Sequence, residues 1–261
     1  MGVFSDFLNF GARIVAKTIV AGPAGFAEEV VRQAAETSGK VVGLIYTKSD
    51  YKGKELSGLK DLRAGDVLVK YDDGSGTNTT ISSIQQENPA SAYWFVHAAL
   101  VTDKFEKLHA LEMAGEGLIC NDLAGHNKKM EYEVFRPKNS RIGETAARLI
   151  GDLAVRGQRE KSAEYNFLGL TKLIADFDNM VTAEEFNVGY QHMLEGQQKE
   201  KYYCSQFVVW LYQGAKYRSG QPDNLWGDIS VHIGPPRLAK IMKFNLPQSW
   251  EHVGYLAAGK R

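Results

Sequence analysis

The sequence has only two cysteines, Cys120 and Cys204, among its 261 residues. One disulfide between them is arithmetically allowed. Two cysteines nevertheless make neither a disulfide framework nor a zinc-ligand cluster. The sequence therefore excludes the small disulfide-rich and zinc-stabilised classes, and we expect no metal site.

An excess of charge of either sign is also missing, because 31 Lys and Arg residues balance 31 Asp and Glu residues. A chain that binds nucleic acid usually carries a basic surplus that offsets the phosphates. We therefore do not expect nucleic acid as a partner. The hydrophobic share of 44% and the charged share of 24% are ordinary for a soluble globular protein.

Long hydrophobic runs are lacking as well. The longest apolar stretches, 41–46 and 92–101, are far shorter than the roughly 20 residues that cross a bilayer. The amino terminus has neither the basic leader nor the continuous apolar core of a secretory signal. We expect a chain that is made in the cytoplasm and has no transmembrane helix.

The first forty residues have a helical pattern with one polar stripe, formed by Asp6, Asn9, Arg13 and Lys17. Gly22 and Pro23 should end this helix, and a second helix is predicted over about 24–37. Two interpretations stay open: helices that pack on the main domain, or an element that contacts a membrane or is recognised for export. We assign 1–55 to an N-terminal helical extension and 56–261 to the main domain.

The main domain combines short predicted strands with helices, which indicates an α+β fold. Strands are predicted at 67–69, 93–102 and 107–113, and helices at about 142–155 and 203–215. Residues 176–201 are polar and mostly helical in propensity.

The turn predicted at 103–106 allows a geometric inference about His97. If the turn is symmetric, Thr102 faces Lys107 and His97 faces Glu112, so a carboxylate could orient the imidazole as a general base requires. The alternative is a half-buried structural histidine that a neighbouring acid satisfies. Glu116 and Asp122 are rival acids. His109 has the wrong parity to share a face with Glu112, and the four remaining histidines are interpreted as surface or capping residues: His126, His192, His232 and His252.

Cys204 lies near the predicted start of a helix, on its apolar face. Free N–H groups and the partial positive charge of a helix start favour a thiolate, and a nearby histidine would favour it further. The alternative is a small core residue. Cys120 has no comparable setting and is predicted to be an inert thiol.

Several segments together resemble the circularly permuted NlpC-type branch of the papain-like cysteine peptidases and amidases, over roughly residues 57–245. They are Leu62-Arg63-Ala64-Gly65-Asp66-Val67-Leu68, Val96-His97-Ala98-Ala99-Leu100, Leu108-His109-Ala110-Leu111-Glu112-Met113-Ala114, Tyr165-Asn166-Phe167-Leu168-Gly169-Leu170, Tyr203-Cys204-Ser205-Gln206-Phe207-Val208 and Pro236-Arg237-Leu238-Ala239. The histidine precedes the cysteine, which is the order of the permuted branch. This chain has Gln206 where the family often has Glu.

The resemblance implies an antiparallel sheet packed against the helix that bears the nucleophile. It implies Cys204 as nucleophile, His97 as base and Glu112 as orienting residue, with no cofactor and no metal. The Cys204 backbone N–H would stabilise the oxyanion, together with a side chain for which Tyr202, Tyr203 and Tyr165 are candidates.

For the substrate, the resemblance implies first an amide in a peptidoglycan peptide, hydrolysed through a thioester. By analogy, such an enzyme could be an antibacterial effector exported without a signal peptide, as by a type VI system, to act in the periplasm of a target cell. Its partners would then be a secretion component and an immunity protein. Two alternatives remain: a lipid acyl-ester hydrolase or acyltransferase of the lecithin:retinol acyltransferase-like branch, whose N-terminal helix would contact a membrane, and a non-catalytic binding domain.

Overall fold

A computed structural model of the chain describes residues 48–72, 95–104, 106–114, 117–126, 128–157, 163–165, 182–195, 200–227 and 233–260. Over these residues the fold is α+β, as the sequence predicts. The strands in the described ranges are β1 (Val67–Tyr71), β2 (Phe95–Thr102), β3 (His109–Ala114), β4 (Gly117–Asp122), β5 (Tyr132–Pro137), β6 (Ala163–Tyr165), β7 (Glu200–Tyr202) and β8 (Trp250–Leu256).

Most of the strands form one antiparallel sheet in the order β4-β3-β2-β1-β5-β8, and β6 pairs with β7 in parallel. In β1, Val67 and Val69 belong to one buried cluster and Leu68 to a second one on the opposite face. Both faces of the sheet are therefore covered, which explains why residues of β1 and β2 are buried almost without interruption instead of alternating between buried and exposed.

Helices of the described residues pack mainly on one face of the sheet. The α-helices among them are α1 (Lys48–Tyr51), α2 (Leu123–His126), α3 (Ser140–Asp152), α4 (Ala183–Leu194), α5 (Cys204–Ser219) and α6 (Pro235–Lys240). A short 3₁₀ helix at Leu59–Asp61 and π-helical turns at Leu153–Gly157 and Ile241–Asn245 complete the helical segments of the described residues. The strands and the two helices predicted at about 142–155 and 203–215 are confirmed, with shifts of a few residues at their ends. None of the helices in the described ranges combines the length and the apolar character that crossing a membrane requires.

The Gly65-Asp66 pair before β1 is a structural joint that helps to hold α5 against the sheet. Gly65 has φ +92°, a conformation that favours glycine, and its carbonyl accepts a hydrogen bond from the hydroxyl of Tyr212 on α5. The Asp66 carboxylate is fully buried and receives Arg136 Nε at 2.7 Å and the Arg63 N–H at 2.8 Å. This joint contributes to the position of the helix that begins at Cys204.

Residues 1–47, with both helices predicted there, lie outside the described residues, so the helical extension stays a prediction. The segment that follows them packs on the sheet. Tyr51 is buried in the core, the Gly53 N–H donates to Glu133 Oε2 at 3.1 Å, and Glu55 forms a β-bridge with Tyr255. The domain boundary at 55–56 likewise stays a prediction.

Candidate active site

His97 lies near the start of β2, beside an extra residue in that strand. Lys70 pairs with His97 whereas Tyr71 pairs with Phe95, so Val96 is inserted in the β1–β2 register. A β-bulge of this kind redirects neighbouring side chains and is frequent beside active sites. The His97 side chain is 18% exposed, so one part of it reaches solvent.

The predicted contact between His97 and Glu112 is confirmed, since Nε2 of the imidazole lies 2.5 Å from Oε2 of the carboxylate. The predicted direct opposition is wrong. β2 and β3 pair Leu100 with Leu111, so the centre of their connection lies one residue further along than the symmetric turn assumed. If the same register is extended beyond the Leu100–Leu111 pair, Glu112 lies diagonally from His97 on the same face of the sheet. A long side chain can still bridge this diagonal distance.

Cys204 is the first residue of α5, so its predicted position near a helix start is confirmed, and its side chain is fully buried. Among the described residues the β2–β3 ladder ends at Leu100–Leu111. Beyond that end, the Ala98 N–H donates to the Cys204 sulfur, and so does the Ser205 N–H in the first turn of α5. The thiol therefore lies where a strand and a helix start both direct N–H groups at it.

The His97 ring also makes a hydrogen bond with the Cys204 thiol. Because Glu112 occupies Nε2, Nδ1 is the ring nitrogen left for the sulfur. The imidazole thus joins the thiol to the carboxylate, an arrangement in which a base contacts a nucleophile and a third group orients the base.

The electrostatics of the site favour an ion pair. Burial by itself would raise the pKa of the Cys204 thiol, but the charge and hydrogen bond of His97 and the two backbone N–H groups bring that pKa below its ordinary value. Burial likewise opposes a charged His97, yet Cys204 and Glu112 raise the pKa of the imidazole to about 10. Both shifts are in the direction of a thiolate that faces an imidazolium, the reactive form of such a cysteine.

One residue of this cluster was missed by the sequence analysis. Asn121 on β4 donates from Nδ2 to Glu112 Oε1 at 2.6 Å. β4 pairs Asn121 with Ala110 and Ile119 with Glu112, so Asn121 and Glu112 are diagonal neighbours on one face. The sequence does contain a turn signal, Gly115 and Gly117. Pairing the residues on either side of that turn would have placed Asn121 diagonally from Glu112.

The two other acids considered as partners of His97 are Asp122 and Glu116. Asp122 pairs with His109, which puts it on the face of β4 opposite to that of Asn121. Its carboxylate accepts the Ala124 N–H at 3.0 Å at the start of α2. Glu116 lies outside the described residues.

The tyrosine candidates converge on the start of α5. Tyr165 pairs with Tyr202 across β6 and β7, and Tyr202 lies two residues before Cys204 in the chain. Tyr203 is the N-cap of α5 and is fully buried. The Tyr202 ring packs 5.0 Å from the Trp210 ring. Their role at an oxyanion stays a prediction.

The interpretation of His252 as a surface or capping residue is wrong. Its Nε2 lies 2.6 Å from Oε2 of the fully buried Glu133. The partner was missed because β5 and β8 are far apart in the sequence and become neighbours only in the sheet.

The remaining predictions concern Cys120 and Gln206. Both cysteines are free, and burial, with the charge of Glu112, raises the pKa of Cys120 to about 11, which disfavours its thiolate. Gln206 is buried, and its Oε1 has no hydrogen-bond partner among the described residues. A neutral amide at this position avoids the greater cost of an unpaired buried carboxylate.

Within the part of the chain that the structure describes, His, Cys, Asp and Glu side chains form no group of three that could hold a metal ion. Comparison of the sequence with protein-family models and with curated proteins finds no match.

Proposed function

We propose that this chain is a cysteine hydrolase with a permuted papain-like fold of the NlpC type. Cys204 is the nucleophile, His97 the general base and acid, and Glu112 the residue that orients His97. The observation that carries the proposal is the position of the His97 ring, which is bonded to the Cys204 thiol and to the Glu112 carboxylate at once.

The order of the elements supports the fold assignment. The histidine strand β2 and the acid strand β3 precede the cysteine helix α5 in the chain, and α5 packs against both strands. A fold that supplies these three groups from separate elements can host several chemistries, so the function is argued from the site.

In the first half-reaction the Cys204 thiolate attacks the carbonyl carbon of the substrate. A C–S bond forms, and the electron pair of the C=O bond moves to oxygen. When the tetrahedral intermediate collapses, the bond to the leaving group breaks and the His97 imidazolium protonates that group. The products are a thioester on Cys204 and a neutral imidazole.

In the second half-reaction the neutral His97 removes a proton from water as the water oxygen attacks the thioester carbon. The C–S bond breaks, the acid product leaves, and the thiolate–imidazolium pair is restored. Glu112 holds the ring in the orientation that both proton transfers need and stabilises its charged form.

The start of α5 supplies the oxyanion donors. The N–H groups of the first helical turn have no acceptor within the helix, and such preorganised donors stabilise negative charge on the carbonyl oxygen. The Cys204 N–H is the first of them, and one of Tyr202, Tyr203 and Tyr165 would complete the site.

Access to the nucleophile involves a movement. The Cys204 side chain is 0% exposed, so a substrate carbonyl reaches the sulfur only after the surrounding side chains shift. We expect the reaction of Cys204 with external reagents to be limited by this opening, even though its pKa favours the reactive form.

The substrate we propose is an amide in a peptidoglycan peptide, as the family resemblance implies. A direct test incubates the full chain with purified sacculi and, separately, with phospholipid vesicles, each beside a Cys204→Ala control. Cleavage of peptide bonds in sacculi that the control lacks supports the proposal. Release of fatty acid instead would move the assignment to the acyl-ester class.

A cysteine that lacks catalytic reactivity would overturn the proposal altogether. If neither substrate is cut, and if a thiol-reactive probe labels Cys204 at the same rate in the unaltered chain and in His97→Gln, the binding-domain interpretation replaces it. Peptide mapping of the two labelled proteins measures the rate at Cys204 in each, so the burial of this thiol is the same in both arms.

A further inference from the structure

We propose that Asn121 is a positioning residue of this site, which holds the Glu112 carboxylate in the orientation that His97 requires. The inference rests on the proposed function and extends the cluster from three side chains to four. Asn121 does not touch the reacting atoms, and its effect on them passes through Glu112 and His97.

The contacts of the carboxylate carry the argument. Glu112 Oε2 is bonded to His97 Nε2 at 2.5 Å, and Oε1 accepts from Asn121 Nδ2 at 2.6 Å. The last torsion of a glutamate is broad, so one bonded oxygen leaves the plane of the carboxylate poorly defined. A second donor on the other oxygen restricts this rotation and aims Oε2 at the imidazole.

The sheet makes this donor rigid. Asn121 and Glu112 are diagonal neighbours on β4 and β3, and Glu112 is diagonal to His97 across β3 and β2 when the observed register is continued. The three side chains follow one oblique line across adjacent strands. Groups held on strands keep their positions better than groups on loops.

The type of side chain suits the role. An amide donates a hydrogen bond without carrying charge, so it binds the carboxylate and leaves the charge of Glu112 to His97. Glu112 is only 5% exposed, and a charged oxygen without a partner at such a depth is costly. Water reaches a carboxylate at this depth poorly, so it cannot replace the hydrogen bond from Asn121.

The test is a pH titration of the Cys204 thiolate by ultraviolet absorbance, taken as the difference between each protein and the same protein with Cys204→Ala. The subtraction removes Cys120, the other titrating thiol near Glu112. The variants are Asn121→Leu, which keeps the volume and removes the donor, Asn121→Ala, and Asn121→Gln, whose longer amide can still donate. Asp122→Asn is the matched control, because it changes the next residue on the opposite face.

We expect Asn121→Leu to raise the midpoint of the thiolate titration by about one pH unit, the scale of one hydrogen bond to a charged group. The sign follows because a poorly held Glu112 stabilises the imidazolium less, and the imidazolium is what keeps the thiol ionised. Asn121→Gln should keep the midpoint close to that of the unaltered chain, because its amide can still donate. Asp122→Asn should leave the midpoint unchanged. If thermal melting shows that the leucine variant is unfolded, Asn121→Ala takes its place.

The outcomes separate the two proposals. A midpoint that stays the same in the leucine and alanine variants, while Glu112→Gln raises it, overturns the role of Asn121 and leaves the proposed function intact. If His97→Ala also leaves the midpoint unchanged, the ion pair does not exist, and both the function and this inference fail.

Discussion

Two His–Glu pairs lie in the same sheet and have nearly the same geometry. His97 is 2.5 Å from Glu112 and His252 is 2.6 Å from Glu133, and the two imidazoles are 18% and 17% exposed. Each histidine also lies beside a register shift, in β2 and in β8 respectively. Distance, burial and strand geometry therefore do not distinguish the pairs.

The surroundings of the two imidazoles distinguish the pairs. The first imidazole meets the Cys204 thiol on its other side. The ring of His252 stacks on Phe135 with centroids 4.9 Å apart, and Glu133 accepts the Tyr71 hydroxyl at 2.7 Å and the Gly53 N–H at 3.1 Å. His252 and Glu133, with Tyr71 and Phe135, therefore form a buried cluster, here called the clamp. The clamp holds the segment around Gly53 on the sheet.

A histidine held by a carboxylate is therefore not in itself a sign of catalysis. Such a pair fixes the ring and its tautomer, which serves packing and proton transfer equally well. The presence of a nucleophile on the remaining nitrogen separates the two cases.

The largest expected difference between the pairs is in activity. We predict that His97→Ala lowers kcat/KM by roughly 10⁴-fold, the upper end of what general acid–base catalysis contributes, while His252→Ala leaves kcat/KM nearly unchanged. Steady-state kinetics on whichever substrate is hydrolysed measures both. Similar losses in the two variants would show that the pairs are not functionally distinct.

The acids should differ in the property that each one affects. Glu112→Gln should reduce kcat by roughly 10³-fold, because His97 loses the charge that orients and stabilises it. Glu133→Gln should instead lower the free energy of unfolding by about 2 kcal/mol, the scale of hydrogen bonds to a buried charge. Kinetics and urea denaturation of both variants test this.

Glu116→Gln serves as the control for the first acid. Equal losses of kcat in Glu112→Gln and Glu116→Gln would remove Glu112 from the proposed triad.

A change confined to the clamp should alter stability and leave the catalytic pair untouched. A Cβ at Gly53 would lie 2.7 Å from His252 Cε1 and 2.8 Å from the Gly254 Cα, whereas a Cβ at Gly125 would meet nothing within 4 Å. Gly53→Ala should therefore cost about 1–3 kcal/mol of stability through overpacking, and Gly125→Ala much less. Denaturation curves measure the difference.

In the same proteins the Cys204 thiolate titration should not move. A shifted midpoint in Gly53→Ala would show that the two His–Glu pairs are coupled through the sheet and are not independent.

Much of the site could be predicted because strand periodicity determines faces. The β2–β3 register differs from the symmetric turn by an even number of residues, and an even shift keeps every side chain on its face. The contact of His97 with Glu112 was therefore predicted correctly, although the direct opposition was wrong. The exact pairing depends on how the connection between the strands is built, which residue counting does not reveal.

The amino-acid sequence was enough to predict a thiol at a helix start, and an imidazole and a carboxylate on one face of two neighbouring strands. Three contacts became visible only in the folded chain: the thiol with the imidazole, Asn121 with the Glu112 carboxylate, and His252 with the buried Glu133. They could not be predicted because periodicity records only which face a residue occupies within its own element. The end of a strand ladder and the packing of a helix start into it depend on contacts between segments far apart in the chain, and local patterns do not encode them.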